Sequence, residues 1–95
     1  MRTWERLPCQ ADKGFYEISY IDGDKSHFMS VIKYDILDEF IVRYVRNCST
    51  VIQTNANVAT LDEAKAYIVR ETLKYLYYAA REYDKLHARI LKDNI

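Results

Sequence analysis

The chain has 95 residues, 49% of them hydrophobic, with fourteen Lys/Arg against fourteen Asp/Glu, two glycines and one proline. That size and apolar content suit one domain, 1–95, with its own core, and so little glycine and proline excludes a loop-rich or disordered chain. Balanced charge excludes polyanion binding by the molecule as a whole.

No stretch approaches the 18 apolar residues of a membrane-crossing helix, and Met1-Arg2-Thr3-Trp4-Glu5-Arg6 has no apolar leader region. Cys9 and Cys48 are too few and too far apart for a disulfide framework or a zinc site. The expectation is a cytoplasmic protein with reduced thiols and no membrane partner.

Taken in order, residues 1–13 form a polar N-terminal arm with Trp4 and Leu7 as its only large apolar anchors. Phe15 to Ile21 alternates and is rich in aromatic and β-branched residues, which predicts a strand. Asp22-Gly23-Asp24-Lys25 predicts a tight hairpin turn, and His27 to Tyr34 the return strand. A two- or four-residue loop puts Tyr16, Ile18 and Tyr20 on one face with His27, Met29 and Val31. Phe15, Glu17, Ser19 and Ile21 then share the other face with Phe28, Ser30 and Ile32. Glu17 and the two serines mark that second face as wetter, so the first is expected to be the core.

Asp35 to Cys48 reads two ways. Ile36, Leu37, Phe40, Ile41, Tyr44, Val45 and Cys48 form a helical stripe, while Phe40 to Val45 has five β-favouring residues in six. A lone hairpin is marginal in water and needs a third strand, which favours strand. Thr50 to Thr54 predicts a short fourth strand and Asn55 to Asn57 a turn. Thr60-Leu-Asp-Glu63 is a capping box, with the threonine hydroxyl taking one free amide and Glu63 returning to another. The fold class expected is α+β: a small antiparallel sheet of three to four strands (14–54) packed on one long C-terminal helix, 60–93.

That helix has two contrasting faces. At 100° per residue, Leu61, Ile68, Val69, Thr72, Leu73, Tyr75, Leu76, Ala79, Ala80, Tyr83, Leu86, His87 and Ile90 fall in one broad arc. Opposite lie Arg70, Lys74, Arg81, Lys85 and Lys92, with Tyr67, Tyr77 and Tyr78 interleaved. Residues 65–95 carry seven Lys/Arg against four Asp/Glu, so the helix is a basic element on a mildly acidic body. Tyrosine and arginine dominate interaction hot spots, which makes Tyr67, Arg70, Lys74, Tyr77, Tyr78, Arg81 and Lys85 the candidate partner-binding residues. The same residues could track phosphates and stack on bases. Glu71, Glu82 and Asp93, however, recur every eleven residues along the edge of that face and would repel a phosphate backbone. A protein or protein–nucleic-acid complex is therefore the expected partner, with direct nucleic-acid binding as the alternative.

A helix of 33 residues is about 50 Å long, whereas a compact body of 95 residues is only about 30–35 Å across. The apolar arc must then outrun its own sheet. Val69, Leu73, Leu76, Ala80, Tyr83, His87 and Ile90 also step with coiled-coil spacing. A second copy, a different protein, or the arm with Trp4 would cover the overhang, and a kink or an early helix end near Asp84 would remove it. Leu76, Tyr83, Leu86, His87 and Ile90 are the candidate self-association residues of a homodimer.

No catalytic motif, metal set or cofactor fingerprint is present. His87 is expected to be a partly buried packing histidine. Cys48 reads as a small apolar residue at the end of an element, without the base or strained elbow a nucleophile needs. Asp22, Asp24, Asp35, Asp38 and Glu39 read as turn and cap residues. In its layout of a short antiparallel sheet, one long helix and no reaction chemistry, the chain resembles small phage-encoded inhibitors such as anti-CRISPR proteins. That resemblance rests on architecture over the whole chain. It implies a non-catalytic protein that occupies a surface on a larger machine, and it transfers no site residue.

Overall fold

In the computed structural model residues 2–8 and 13–93 are described, with side chains as far as Lys92. Five strands precede one helix: β1 (Glu5–Leu7), β2 (Gly14–Ile21), β3 (Asp24–Tyr34), β4 (Phe40–Arg46), β5 (Ser49–Ala56) and α1 (Leu61–Asp93). The strands form one antiparallel sheet in the order β1-β2-β3-β4-β5, each beside its neighbour in the chain.

The sheet has five strands where three to four were expected. The extra one lies in the arm, where Glu5, Arg6 and Leu7 pair with Ile18, Glu17 and Tyr16. Three residues bearing two charges carry no strand signal of their own; β2 recruits them by offering an unpaired edge. The ambiguous segment resolves as β4, which is central and paired on both sides. β5 runs on to Ala56, through Asn55 and Ala56 of the expected turn, because Ala56 pairs with Phe40 and closes the core.

The hairpin turn forms as expected, with positive φ at Asp22 (55°) and Gly23 (71°). The facing that follows it does not. Ile21 pairs with Asp24 but Tyr20 pairs with Phe28, so Lys25, Ser26 and His27 intervene on one side of the ladder. This bulge is held by Asp24, whose carboxylate accepts from both the amide and the hydroxyl of Ser26 at 2.9 and 2.8 Å. An odd offset turns every side chain of one strand to the opposite face of the sheet. Hence Glu17 and Ser19 lie beside Val31 and Met29, while Tyr16, Ile18 and Tyr20 lie beside Ile32, Ser30 and Phe28.

The core is the face bearing Met29, Val31, Phe40, Val42, Tyr44 and Ala56, closed by Ala64 and Ile68 of α1, with Trp4, Phe15, Ile21 and Leu76 packed at its border. β3 thus buries the side expected of it, Met29 and Val31, whereas β2 turns in the side expected to be wet, Glu17 and Ser19. Glu17 is only 6% exposed there because Lys65 of α1 reaches it at 2.7 Å and Arg6 of β1 at 2.5 Å. Burial alone would raise the Glu17 carboxyl; the Lys65 and Arg6 hydrogen bonds and charges outweigh it and hold the group below the ordinary glutamate value.

The capping box sets the start of α1. Thr60 accepts from the Glu63 amide at 3.2 Å, and the Glu63 carboxylate accepts from the Ala59 amide at 3.1 Å. From there α1 packs on β3, β4 and β5 only as far as its middle. Every residue from Arg81 to Lys92 is exposed, and the helix continues unbroken past Asp84. The molecule extends 59 Å by 27 Å by 25 Å, with a radius of gyration of 16.5 Å, against about 12 Å for a compact chain of this length.

Candidate interaction surface

Three surfaces follow from this arrangement. The first is the side of α1 turned away from the sheet. Arg70, Lys74, Tyr77, Tyr78, Arg81 and Lys85 are all exposed there, because helical spacing places them opposite Ala64, Ile68 and Thr72. Arg81 donates to the Tyr77 hydroxyl at 3.0 Å and sits 5.7 Å from that ring. The Tyr77 ring in turn meets Tyr78 edge to face, with centroids 5.5 Å apart. About three turns earlier, the Arg70 guanidinium lies 5.7 Å from the Tyr67 ring. Tyr67 itself is half-buried and packs against the core border, so it joins the surface only by its edge. Lys74 pairs with Glu71 at 3.5 Å and Lys85 with Glu82 at 3.7 Å, repeating one motif eleven residues on. Exposed pairs of this kind contribute little to stability, and they lower the net positive charge of the stripe.

The second surface is the overhang. Of the expected self-association residues, Leu76 belongs to the core border, whereas Tyr83, Leu86, His87 and Ile90 are exposed. The coiled-coil register expected through Leu73 and Ala80 is rotated out of the buried stripe. Leu73 is 62% exposed, and the sheet is met by Ala64, Ile68, Thr72 and Leu76 instead. His87, expected to be partly buried, is in solvent. Where α1 leaves the sheet, the Tyr75 ring meets Tyr44 at a tilt of 56°, centroids 6.0 Å apart, and the Tyr44 hydroxyl meets His27 Nε2 at 2.6 Å. Burial raises the Tyr44 hydroxyl, an effect that Arg46 offsets and Tyr75 reinforces.

The third surface was not anticipated. It is the sheet face opposite α1, which no element covers among the described residues. Tyr16, Tyr20, Phe28, Ile32 and Ile41 lie half-buried on it around fully buried Ile18, Ser30 and Val45. Tyr20 meets Phe28 edge to face at 6.0 Å and carries the Lys25 ammonium 4.0 Å above its ring. Burial raises the Tyr16 hydroxyl, with Ser30 and the Arg43 charge opposing. An open antiparallel sheet ordinarily turns a polar face to water, so this apolar carpet is a docking candidate in its own right. The sequence signal was available in part: both faces of β2 and β3 are apolar, which suits a strand covered twice.

Two of the carboxylates considered for chemistry have structural partners. Asp24 is held by Ser26, and Glu39 accepts from Asn55 at 2.8 Å. Cys48 is an exposed free thiol in a two-residue turn with Asn47, both at positive φ (63° and 53°), so it stands outside the packed end of an element. No helix of the described residues is long and apolar enough to cross a membrane. No family model matches this chain, and neither a curated protein nor a solved structure matches it at a significant level.

Proposed function

We propose that this chain is a non-catalytic binding protein that docks on a protein or a protein–nucleic-acid complex through the outer face of α1. The Arg81–Tyr77–Tyr78 cluster carries this reading. Tyr77 and Tyr78 are 57% and 60% exposed, yet each ring is oriented by a neighbour and neither contributes to the core. Large aromatic side chains that are ordered before binding lose little entropy on docking, which is how interface anchors gain their weight. Occupation of a larger machine, as an inhibitor of the phage type, is the form of action that the architecture suggests.

Nucleic-acid binding by the same stripe is the weaker reading, because Glu71 and Glu82 already draw in Lys74 and Lys85. The two differ in salt response: phosphate contacts release counterions, so a nucleic-acid complex weakens steeply as salt rises. The decisive experiment replaces Tyr77, Tyr78 and Arg81 together with alanine and measures partner capture beside far-ultraviolet circular dichroism. The expected outcome is lost capture with an unchanged spectrum, since hot-spot anchors contribute about 2 kcal/mol or more each. Capture of the wild-type partner set by the triple variant would move the site to the open face of the sheet.

A further inference from the structure

The apolar stripe by which α1 meets the sheet does not stop where the sheet does. At 100° per residue, Ala79, Tyr83, Leu86 and Ile90 point in the same direction as Leu61, Ile68 and Thr72, within an arc of about 60°. Tyr83, Leu86 and Ile90 are 68%, 46% and 53% exposed. Beside them runs a groove of about 490 Å³ lined by Tyr75, Tyr78, Ala79, Glu82, Leu86 and Arg89.

We infer that the occupant of this stripe is a second copy of the chain, paired antiparallel about a two-fold axis between Asp84 and Lys85. The spacing of the stripe is the first reason. Steps of four, three and four read the same in both directions. An antiparallel copy therefore sets Tyr83 against the partner's Leu86 and Ala79 against the partner's Ile90, and the reverse, as an isologous contact requires.

Charge is the second reason. A two-fold axis perpendicular to both helices brings each flank of the stripe against its own counterpart. On the groove side that flank carries Glu82, Lys85 and Arg89. Glu82 then falls between the partner's Lys85 and Arg89, each offset by about 3 Å along the axis. A parallel pair would instead set Glu82 and Arg89 against Ala80, His87 and Leu91, with no opposite charge to meet, and would leave only Lys85 an acid, Asp84, at the far rim.

Length is the third reason. In this register Asp93, the last residue of α1, lies level with Leu76 of the partner, where the partner's own sheet takes over the same face. The described overhang, residues 77 to 93, is long enough for this pairing.

The inference concerns the free protein and does not depend on the docking reading of Tyr77 and Arg81, although Tyr78 and Lys85 border both surfaces. Sedimentation equilibrium of the purified chain tests it without any partner. The expected mass is twice the 11.3 kDa of the chain, falling to the single-chain mass in Leu86→Asp with the circular dichroism spectrum unchanged. Glu82→Arg should weaken the dimer, and adding Arg89→Glu to that variant should restore it. A wild-type monomer at every concentration, or a dimer indifferent to Leu86→Asp, overturns the pairing. A double variant no tighter than Glu82→Arg alone overturns the antiparallel register.

Discussion

The two halves of α1 have the same backbone geometry and opposite relations to the rest of the molecule. Ala64 and Ile68 are fully buried and Thr72 is 3% exposed, whereas from Arg81 onward every described side chain is in solvent. Good helix formers such as Ala, Leu, Glu, Lys and Arg sustain the second half, but a free helix of its length is marginal in water. The first half is a structural element anchored by the sheet. The second is a rigid projection whose order derives from that anchor and whose apolar stripe does nothing for the isolated fold. Side chains that an isolated fold does not use are where binding is best sought.

The sharpest way to break this comparison is a substitution at the buried centre. Ile68→Ala removes a fully buried side chain from the core cluster it shares with Val31, Val42 and Tyr44. It should cost about 2–5 kcal/mol, read as a lowered denaturation midpoint at unchanged slope. A loss below 1 kcal/mol would mean that α1 is not anchored as described.

Glu17 offers a finer probe of the same anchor, because Lys65 is the charged tie between α1 and the sheet. Its carboxyl is held below the ordinary value in the folded state. A depressed carboxyl contributes stability above its unfolded value, about 4.3, and that contribution is lost as pH falls through the folded value. The wild type should therefore lose stability below about pH 4, and Glu17→Gln should flatten that limb while costing on the order of 1–2 kcal/mol at neutral pH. An acid limb of the same depth in the variant would assign it to other carboxylates.

At the small end, Leu86→Ala measured in dilute solution should change stability by less than about 0.5 kcal/mol, as for most exposed positions. Amide exchange should follow the same division, with slow exchange around Ile68 and fast exchange beyond Arg81. Equal protection along the whole helix in dilute solution would show that the projection is covered within its own chain.

Some of this was determined by the sequence alone, because the deciding interactions are local. The capping box of Thr60 and Glu63 lies within four residues, the Asp22–Gly23 turn within two, and the outward stripe of Tyr77, Tyr78 and Arg81 follows from helical periodicity. The overhang followed from length, since rise per residue and the size of a compact body are general quantities. Other features were settled only by the tertiary structure. The facing of β2 depended on a bulge of Lys25, Ser26 and His27, and an odd offset moved Tyr16 and Tyr20 to the uncovered side, beside Phe28. Glu17 looked like a mark of water because its cations, Arg6 and Lys65, lie on two other elements far along the chain. β1 became a strand because β2 presented an open edge, and β4 became a strand because both neighbours pair with it. Periodicity reports which side chains can share a face; which face is buried depends on the partner that arrives to cover it.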